Sequence, residues 1–518
     1  MTTIESSRLF PAERPPPTST PLSILDATVV RFTPTGAVWI FDTDVDPPRL
    51  IDHLRSSFIN TLSKFPQWSG QLQWSPVGEE GHTERFNRPM LKYGTDADPG
   101  VEWTVIERPI RAHEVAPTAK ERASSTAGSR PGSWNGDGFN ETLFVSSNPL
   151  ALSNLHDYAG RPGMQVQITL LGGGYAVGVK LAHCLADAQA LLVFMHLWSS
   201  NSQESFGYKH NLSAMNDPIF NPELLDSRAG GDIDSPDCDQ NLTQTARSLP
   251  LHRFSWWDTA DEGYPSVCIP TTEHSKPSAE QLERVQISPS EPAPWTTWDF
   301  SRPASYTQLH FTGSELARIK ARALADPGTR ADISRLDALL AYLWASITRA
   351  RGYANSSRQV YLDLTLGARA RVSPALPDTF IGSPLFITHV GAPGSSVCQT
   401  TLGHNASQIR DTMKEFTPDA MGAILHDAAF EASPQRLWQA FMGTEHTIVT
   451  SWLRLGLYDV DFVGGHKPRY AHAIMPKLDG CAQIMDSGID DDGMDIALYL
   501  DKEAMGNLLQ DQCWNVGM

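Results

Sequence analysis

His183 and Asp187 stand four residues apart in His183-Cys184-Leu185-Ala186-Asp187. An imidazole changes charge near neutral pH, so a histidine at a cleft edge suits general base catalysis. By strand parity His183 continues the face of Val177, Val179 and Leu181. On its own that position equally suits a core histidine. Asp187 falls in the first turn of the next helix, where a negative charge is favoured. It is better placed there to brace the turn than to touch the imidazole. A second candidate is the segment from Thr450 to Pro468, which contains Thr450-Ser451-Trp452 and Asp461-Phe462-Val463-Gly464-Gly465. Its glycine pair permits backbone conformations closed to other residues, and alone it reads as a turn. A third is basic: His310, Arg318, Lys320 and Arg322 surround a predicted helix start, with Thr312 or Ser314 as its cap. Such a cluster binds phosphate or forms a solvated helix face. The acidic residues Asp486, Asp490, Asp491, Asp492 and Asp495 do not match a calcium loop. They read as a solvated hairpin turn before a strand at Ile496–Leu500.

These side chains need elements to hold them. Met164, Val166, Ile168 and Leu170 alternate with polar residues, which predicts a half-buried strand. Gly172-Gly173-Gly174 supplies a hairpin turn, and Val177, Val179 and Leu181 form the return strand. Leu191, Leu192, Met195 and Trp198 recur at helical spacing, so His183 sits where a strand hands over to a helix. Upstream, residues 1–21 are a Pro-rich extended arm, and Ala27 to Phe41 reads as one strand. Leu50 to Phe65 carries a helical stripe. Residues 110–150 read as a loop insertion, and 226–300 as an inter-domain crossover, partly mobile. Downstream, Ser334 and Asp337 resemble a capping box ahead of Leu336, Leu340, Leu343 and Ile347. Strands are expected at 360–366, 385–390, 446–453 and 494–500, then a helix from Lys502 to Gln510. The division expected is 1–225, an N-terminal domain; 226–300, a crossover; and 301–518, a C-terminal domain. Mixed strands and helices in two halves indicate an α/β or α+β protein rather than a solenoid or bundle.

The 518 residues carry 41 Lys+Arg against 59 Asp+Glu, a net charge of −18. That argues against a nucleic-acid partner, which needs a basic face. The six cysteines show no paired metal-ligand spacing, so no metal site is expected. Sparse thiols fit a reducing compartment. With no secretory leader or apolar run of membrane-spanning length, a soluble cytoplasmic protein is expected, with no membrane partner. Asn-x-Ser/Thr at Asn140, Asn211, Asn241, Asn355 and Asn405 is read as chance matching.

Taken together, the two motif segments resemble those of the BAHD acyltransferase family, which carries HxxxDA or HxxxDG near mid-chain and DFGWG near the C-terminus. The resemblance covers most of the chain. Leu22-Ser23-Ile24-Leu25-Asp26 resembles the family's opening strand signal, and Phe65-Pro66-Gln67-Trp68-Ser69-Gly70-Gln71-Leu72 its F-x-P-x-A-G-R-L stretch. Gln165–Thr169 and Gly178–His183 match the strands leading to the catalytic histidine. Asp337 to Trp344 and Arg369 to Pro377 resemble the second domain.

The resemblance implies two similar chloramphenicol-acetyltransferase-like domains joined by a long crossover, with the active-site channel between them. It implies acyl transfer from acyl-CoA, a co-substrate rather than a bound cofactor, to a hydroxyl or amine of a small secondary metabolite. It makes His183 the general base. Thr450 and Trp452 match the groups that lie by the acyl carbonyl. Asp187 and Asp461 become structural acids paired with arginines, and Ser314 and Lys320 lie in the region that holds the 3′-phosphate of CoA. A monomer is expected. The chain departs from the family at Asp461-Phe462-Val463-Gly464-Gly465, where the Trp is missing, and at Gly382-Ser383, where Gly-Asn is usual. Segments 110–150 and 226–300 are longer than usual and are expected to reshape the acceptor pocket or lengthen the channel. Two other readings remain: the same fold using a carrier-protein-bound acyl donor, and a catalytically silent accessory protein.

Overall fold

Residues 164–181 fold back on themselves because Gly173 adopts a φ of 71°, which costs glycine no steric clash. The hairpin pairs Met164 with Leu181 and Leu171 with Gly174. Both the apolar and the polar members of its first strand are buried, Gln165, Gln167 and Thr169 included. The half-buried expectation therefore fails, and the cause lies at residues 143–148. Gln165 donates to the Asn148 carbonyl and Gln167 to the Leu143 carbonyl. A Cβ on Gly178 would clash with the Phe144 carbonyl. The segment read as a loop insertion is thus a cover over the outer face of the sheet.

The computed structural model describes residues 2–78, 81–208, 217–283 and 285–511; Asn211 and Cys513 lie outside them. In chain order the first half supplies β1 (Thr2–Leu9), α1 (Ile24–Thr28), β2 (Thr35–Asp42), α2 (Pro47–Leu62), β3 (Val101–Arg111), β4 (Ser133–Asn135), β5 (Met164–Gly172), β6 (Gly174–Leu181) and α3 (Ala188–Ser205). The second supplies β7 (Ala304–Phe311), α4 (Gly313–Ala325), α5 (Arg335–Ala350), β8 (Gln359–Gly367), β9 (Leu385–Pro393), β10 (His446–Ser451), β11 (Tyr470–Ala473), β12 (Cys481–Asp486), β13 (Met494–Asp501) and α6 (Lys502–Gln510).

A six-stranded sheet runs β1-β3-β5-β6-β2-β11, and a seven-stranded sheet runs β9-β8-β10-β12-β13-β7-β4. Both are mixed: β3 lies parallel to β5, and β10 parallel to β8 and β12. The fold is α/β with mixed sheets. Each large sheet also takes a strand from the far part of the chain. β11 pairs with β2 in the first sheet, and β4 with β7 in the second.

Two local expectations are corrected. Leu22 to Asp26 is not a strand: Ser23 caps α1 and forms a reciprocal capping box with Asp26, satisfying amides that a helix start leaves unpaired. The single strand expected over Ala27–Phe41 is therefore the end of α1, a turn, and β2. Gly36 is required in β2, because a Cβ there would lie 2.4 Å from the Val179 carbonyl oxygen. In the second half, Ser334 and Asp337 do form the capping box of α5.

The 226–300 segment read as a crossover packs against the second half at several described points. Phe254–Ser255 pairs with Leu437–Trp438, and Phe254, Trp295 and Phe441 form a buried cluster. Arg247 and Arg253 both pair with Asp427. Its many Pro and Ser residues suppress periodicity, while isolated aromatics supply the anchoring. Among the described residues no helix is long and apolar enough to cross a membrane.

Candidate active site

His183 opens a single 3-10 turn, His183–Leu185, between β6 and α3. Its ring lines a cavity of about 530 Å³. Arg31, Phe32 and Thr35 reach the cavity from the first sheet's side; Thr365, Ile387 and Thr450 reach it from the second. The Phe32 ring meets the imidazole edge-on, with centroids 5.5 Å apart. Burial lowers the His183 pKa to about 4, against smaller opposing effects of its own backbone and of Asp187. At neutral pH the ring is therefore the uncharged base.

Its Nδ1 lies 2.9 Å from Ser383 Oγ. Which of the two donates follows the ring tautomer; with Nδ1 as the donor to Ser383, Nε2 is left as the proton acceptor. Ser383 is itself fixed, since its backbone N–H donates to the Asp26 carboxylate. Burial pushes the Asp26 carboxyl up to about 7, while hydrogen bonds from Ser23 and Ser383 act the other way. Sequence reasoning singled out neither Ser383 nor Asp26 as a site residue. The available signals were the Gly382-Ser383 departure and a capping acid in an apolar turn.

Asp187 does not approach the imidazole through a hydrogen bond. Its carboxylate caps α3 by accepting from the Ala190 amide at 2.9 Å. The same carboxylate receives both Nη atoms of Arg369, with Nη2 to Oδ1 at 2.9 Å. Its backbone N–H donates to the Gly382 carbonyl. The expected arginine partner is thus Arg369, which also donates to the Phe380 carbonyl. These bonds tie the turn after β6 to the chain between β8 and β9.

Asp461 is different. Among the described residues it meets no arginine; its carboxylate accepts the amides of Val463, Gly464 and His466 at 2.9–3.0 Å. Gly464 and Gly465 supply the positive φ values, 90° and 77°, that turn these amides inward. Ser199 and Ser202 of α3 donate to the Asp461 and Phe462 carbonyls, and Phe462 packs on Trp198. The altered glycine segment is a turn docked on α3, and Asp461 does not line the cavity.

Thr450, on β10, and Trp452, just beyond it, both line the cavity. Trp452 is nearly buried, and with the Gln483 amide oriented to satisfy both ends its Nε1 donates to Gln483 at 3.1 Å. That leaves the Thr450 hydroxyl as the more available donor of the pair. The basic cluster lies elsewhere. Ser314 and Lys320 are on α4 and line no part of this cavity. His310 leaves the cluster, because its ring is buried between Asp491 and Asp495, at 2.9 and 2.8 Å. Against the cost of burial, those acids hold its pKa above the usual histidine value. The hairpin between β12 and β13 is solvated at Asp490 and Asp492, the latter in an exposed pair with Arg335, whereas Asp491 and Asp495 turn onto His310.

The Transferase family matches residues 148–513. The acyltransferase AFT15-1 of Alternaria alternata is 25% identical over 436 residues, 83% of this chain and 79% of that protein. The acyltransferase abl6 of Leptosphaeria maculans is 26% identical over 465 residues, 88% and 84% of the two chains. Among solved structures, F. graminearum TRI101 complexed with coenzyme A and deoxynivalenol matches 96% of this chain and 98% of its own, at 16% identity and a TM-score of 0.66. Vinorine synthase matches 98% and 96%, at 16% identity and a TM-score of 0.59. The solved structures establish the shared fold, and the family match spans well over half the sequence: the chain belongs to the Transferase family, the BAHD acyltransferases its motifs resemble, and is an acyltransferase.

Proposed function

We propose that the protein moves an acyl group from a CoA thioester to a hydroxyl or amine of a small secondary metabolite, with His183 as general base. The observation that carries this reading is an imidazole kept neutral by burial at the wall of a cavity of about 530 Å³, its Nδ1 held by Ser383. The acceptor O–H or N–H gives its proton to His183 Nε2 as its heteroatom attacks the thioester carbonyl. The carbon becomes tetrahedral and its oxygen takes the negative charge. Collapse breaks the C–S bond, and the proton on Nε2 passes to the departing thiolate, which restores the neutral ring. Positioned proton transfer contributes about 10²–10⁴-fold, and alignment of two bound substrates adds to it. The Thr450 hydroxyl is the assigned donor to the oxyanion, with Trp452 shaping the wall beside it.

CoA as donor draws support from TRI101, solved with coenzyme A and with deoxynivalenol or T-2. Ser314 and Lys320 on α4 are assigned to the phosphate end of the donor, without His310. Aromatic Trp256 and Trp298 of the crossover and Trp438 of the second half line the cavity, which favours an acceptor with a flat or apolar body. The same reading makes the protein a cytoplasmic monomer, in keeping with five free cysteines among the described residues. The test is CoA release from acetyl-, malonyl-, benzoyl- and long-chain acyl-CoA with pooled hydroxyl and amine acceptors, beside His183→Ala. Release that depends on His183, with an acylated product by mass, is expected. Equal release by His183→Ala would remove His183 from the chemistry.

A further inference from the structure

Three of the histidines and one aspartate outside the reaction site converge from four segments that are distant in sequence. Asp363 on β8 stands directly across from His389 on β9. His446 opens β10, paired with Tyr361, so it is diagonal to Asp363 on the same sheet face. His252 comes down on this face from the crossover, its ring stacked on that of His389 with centroids 3.8 Å apart. His252, Asp363 and His446 are 5%, 0% and 1% exposed.

Their polar atoms are not all accounted for by hydrogen bonds. His446 Nδ1 meets Asp363 Oδ2 at 2.9 Å. The other oxygen, Asp363 Oδ1, is buried without a hydrogen-bond partner, and so are His252 Nε2 and His389 Nδ1. His252 Nε2 and Asp363 Oδ1 face each other at 3.5 Å without forming a hydrogen bond. Buried polar atoms left unpaired are costly and uncommon. One ligand atom from each of His252, Asp363 and His446 lies within 4.8 Å of the other two. Zinc bonds of about 2.0–2.1 Å place tetrahedral donors about 3.3 Å apart, so the three close on an ion by side-chain shifts under about 1 Å.

We propose that His252, Asp363 and His446 form a binding site for a divalent first-row metal ion, with zinc as its occupant. Two imidazoles and one carboxylate suit zinc, and the fourth position is left to water. The ion clasps the crossover to the second sheet. That clasp bears on the reaction cavity, because the strands continue straight into it. Thr365 follows Asp363 on the same face, Ile387 precedes His389, and Ile448 and Thr450 follow His446; all four line the cavity. Trp256, four residues beyond His252, stacks on Trp438 in the cavity wall. No spacing rule could find this site, since its donors sit at 252, 363 and 446.

The test uses full-length protein without a histidine tag. Metal content is measured by mass spectrometry after purification, then again after chelator stripping and readdition of Zn²⁺ alone. Co²⁺ added to stripped protein reports geometry through its visible absorption. About one equivalent of zinc, a tetrahedral Co²⁺ band, and a melting temperature that falls on stripping and recovers with Zn²⁺ are expected. His252→Phe keeps a ring against His389 but removes the donor, and should weaken Zn²⁺ binding at least tenfold; Asp363→Asn should do the same. Less than a tenth of an equivalent with no Co²⁺ band would overturn the proposal, as would unchanged Zn²⁺ binding in a folded His252→Phe protein. The wild-type measurements decide the matter even if a variant fails to fold.

Discussion

Acidifying the enzyme from pH 7 to pH 5.5 should leave acyl transfer nearly unchanged, and the reason is the burial of His183. With an ordinary histidine pKa near 6.5, only about 9% of a catalytic imidazole would remain unprotonated at pH 5.5. Burial lowers the His183 pKa to about 4, and at that value roughly 97% remains the free base. The two cases differ about tenfold in rate at one pH. The profile of kcat/KM reports the free enzyme, so it is the quantity to measure. A hydroxyl acceptor keeps the substrate from titrating, and chromatographic measurement of CoA avoids a pH-sensitive thiol reagent. Asp26, raised to about 7 by burial, contributes at most a shallow step, because it holds the Ser383 backbone rather than the ring.

The same shift acts on stability. Between pH 6.5 and 4 the unfolded chain binds a proton at this position that the folded chain does not. Stability therefore falls as pH drops through that window and is unaffected by His183 above it. Each rate is accordingly paired with a control in which enzyme held at the test pH is returned to pH 7. A reversible loss of about tenfold at pH 5.5, with a midpoint near 6.5, would refute the argument. It would mean that the working imidazole is solvated like a surface histidine.

Arg369→Ala should destabilise the protein by about 3–5 kcal/mol, the usual cost of removing one partner from a buried pair, because Asp187 is left inside the structure without its guanidinium. Urea unfolding measures this, and a loss under about 1 kcal/mol would show that the pair does not hold the turn. Ser383→Ala removes the Nδ1 partner of His183 and should lower kcat about two- to tenfold with KM unchanged, since one hydrogen bond is worth ~0.5–1.5 kcal/mol. Ser383→Asn, which restores an acceptor, should recover part of the loss; an unaltered kcat in Ser383→Ala would remove the residue from positioning. Lys320→Ala should raise the KM for acyl-CoA about tenfold at constant kcat, from a charged hydrogen bond worth ~1.5 kcal/mol, and a KM that does not move places the phosphates elsewhere.

What the sequence discloses follows from how local each cause is. The hairpin before His183, α3 and the cap of α5 rest on neighbours within about a turn or a strand, and the residues name them directly. The strand expected at Leu22–Asp26 rests on family resemblance alone, whereas the Ser23–Asp26 spacing is the local signature of the helix start at Ile24. The burial of Gln165 and Gln167 depends on residues 143–148, a cover that no periodicity announces. His310 reads as a phosphate ligand in the sequence because its partners Asp495, directly across on the neighbouring strand β13, and Asp491 lie 185 and 181 residues further along the chain. The family resemblance implies an arginine for Asp461, whereas the amides of Val463, Gly464 and His466 are its partners.

The contacts at His183 do not involve the altered C-terminal motif. At the turn, the other half of the molecule contributes Ser383 on the ring, Arg369 on Asp187, and the Gly382 carbonyl on the Asp187 amide. With His183 as the base proposed above, docking of the two sheets and catalysis share these bonds. The Asp461 turn takes no part in that set. It grips α3 through Ser199 and Ser202, more than two helical turns beyond the cap at Asp187. A helix transmits position along its axis but is insensitive to which side chain follows the anchoring amides at its far end. The three amides that Asp461 collects need glycine backbone freedom at 464 and 465, and this chain supplies it. In the register of the family motif the tryptophan would stand at 464, where this chain has a φ of 90° and a Cβ would lie 2.2 Å from the Tyr208 ring, so the turn is built for glycine at that position.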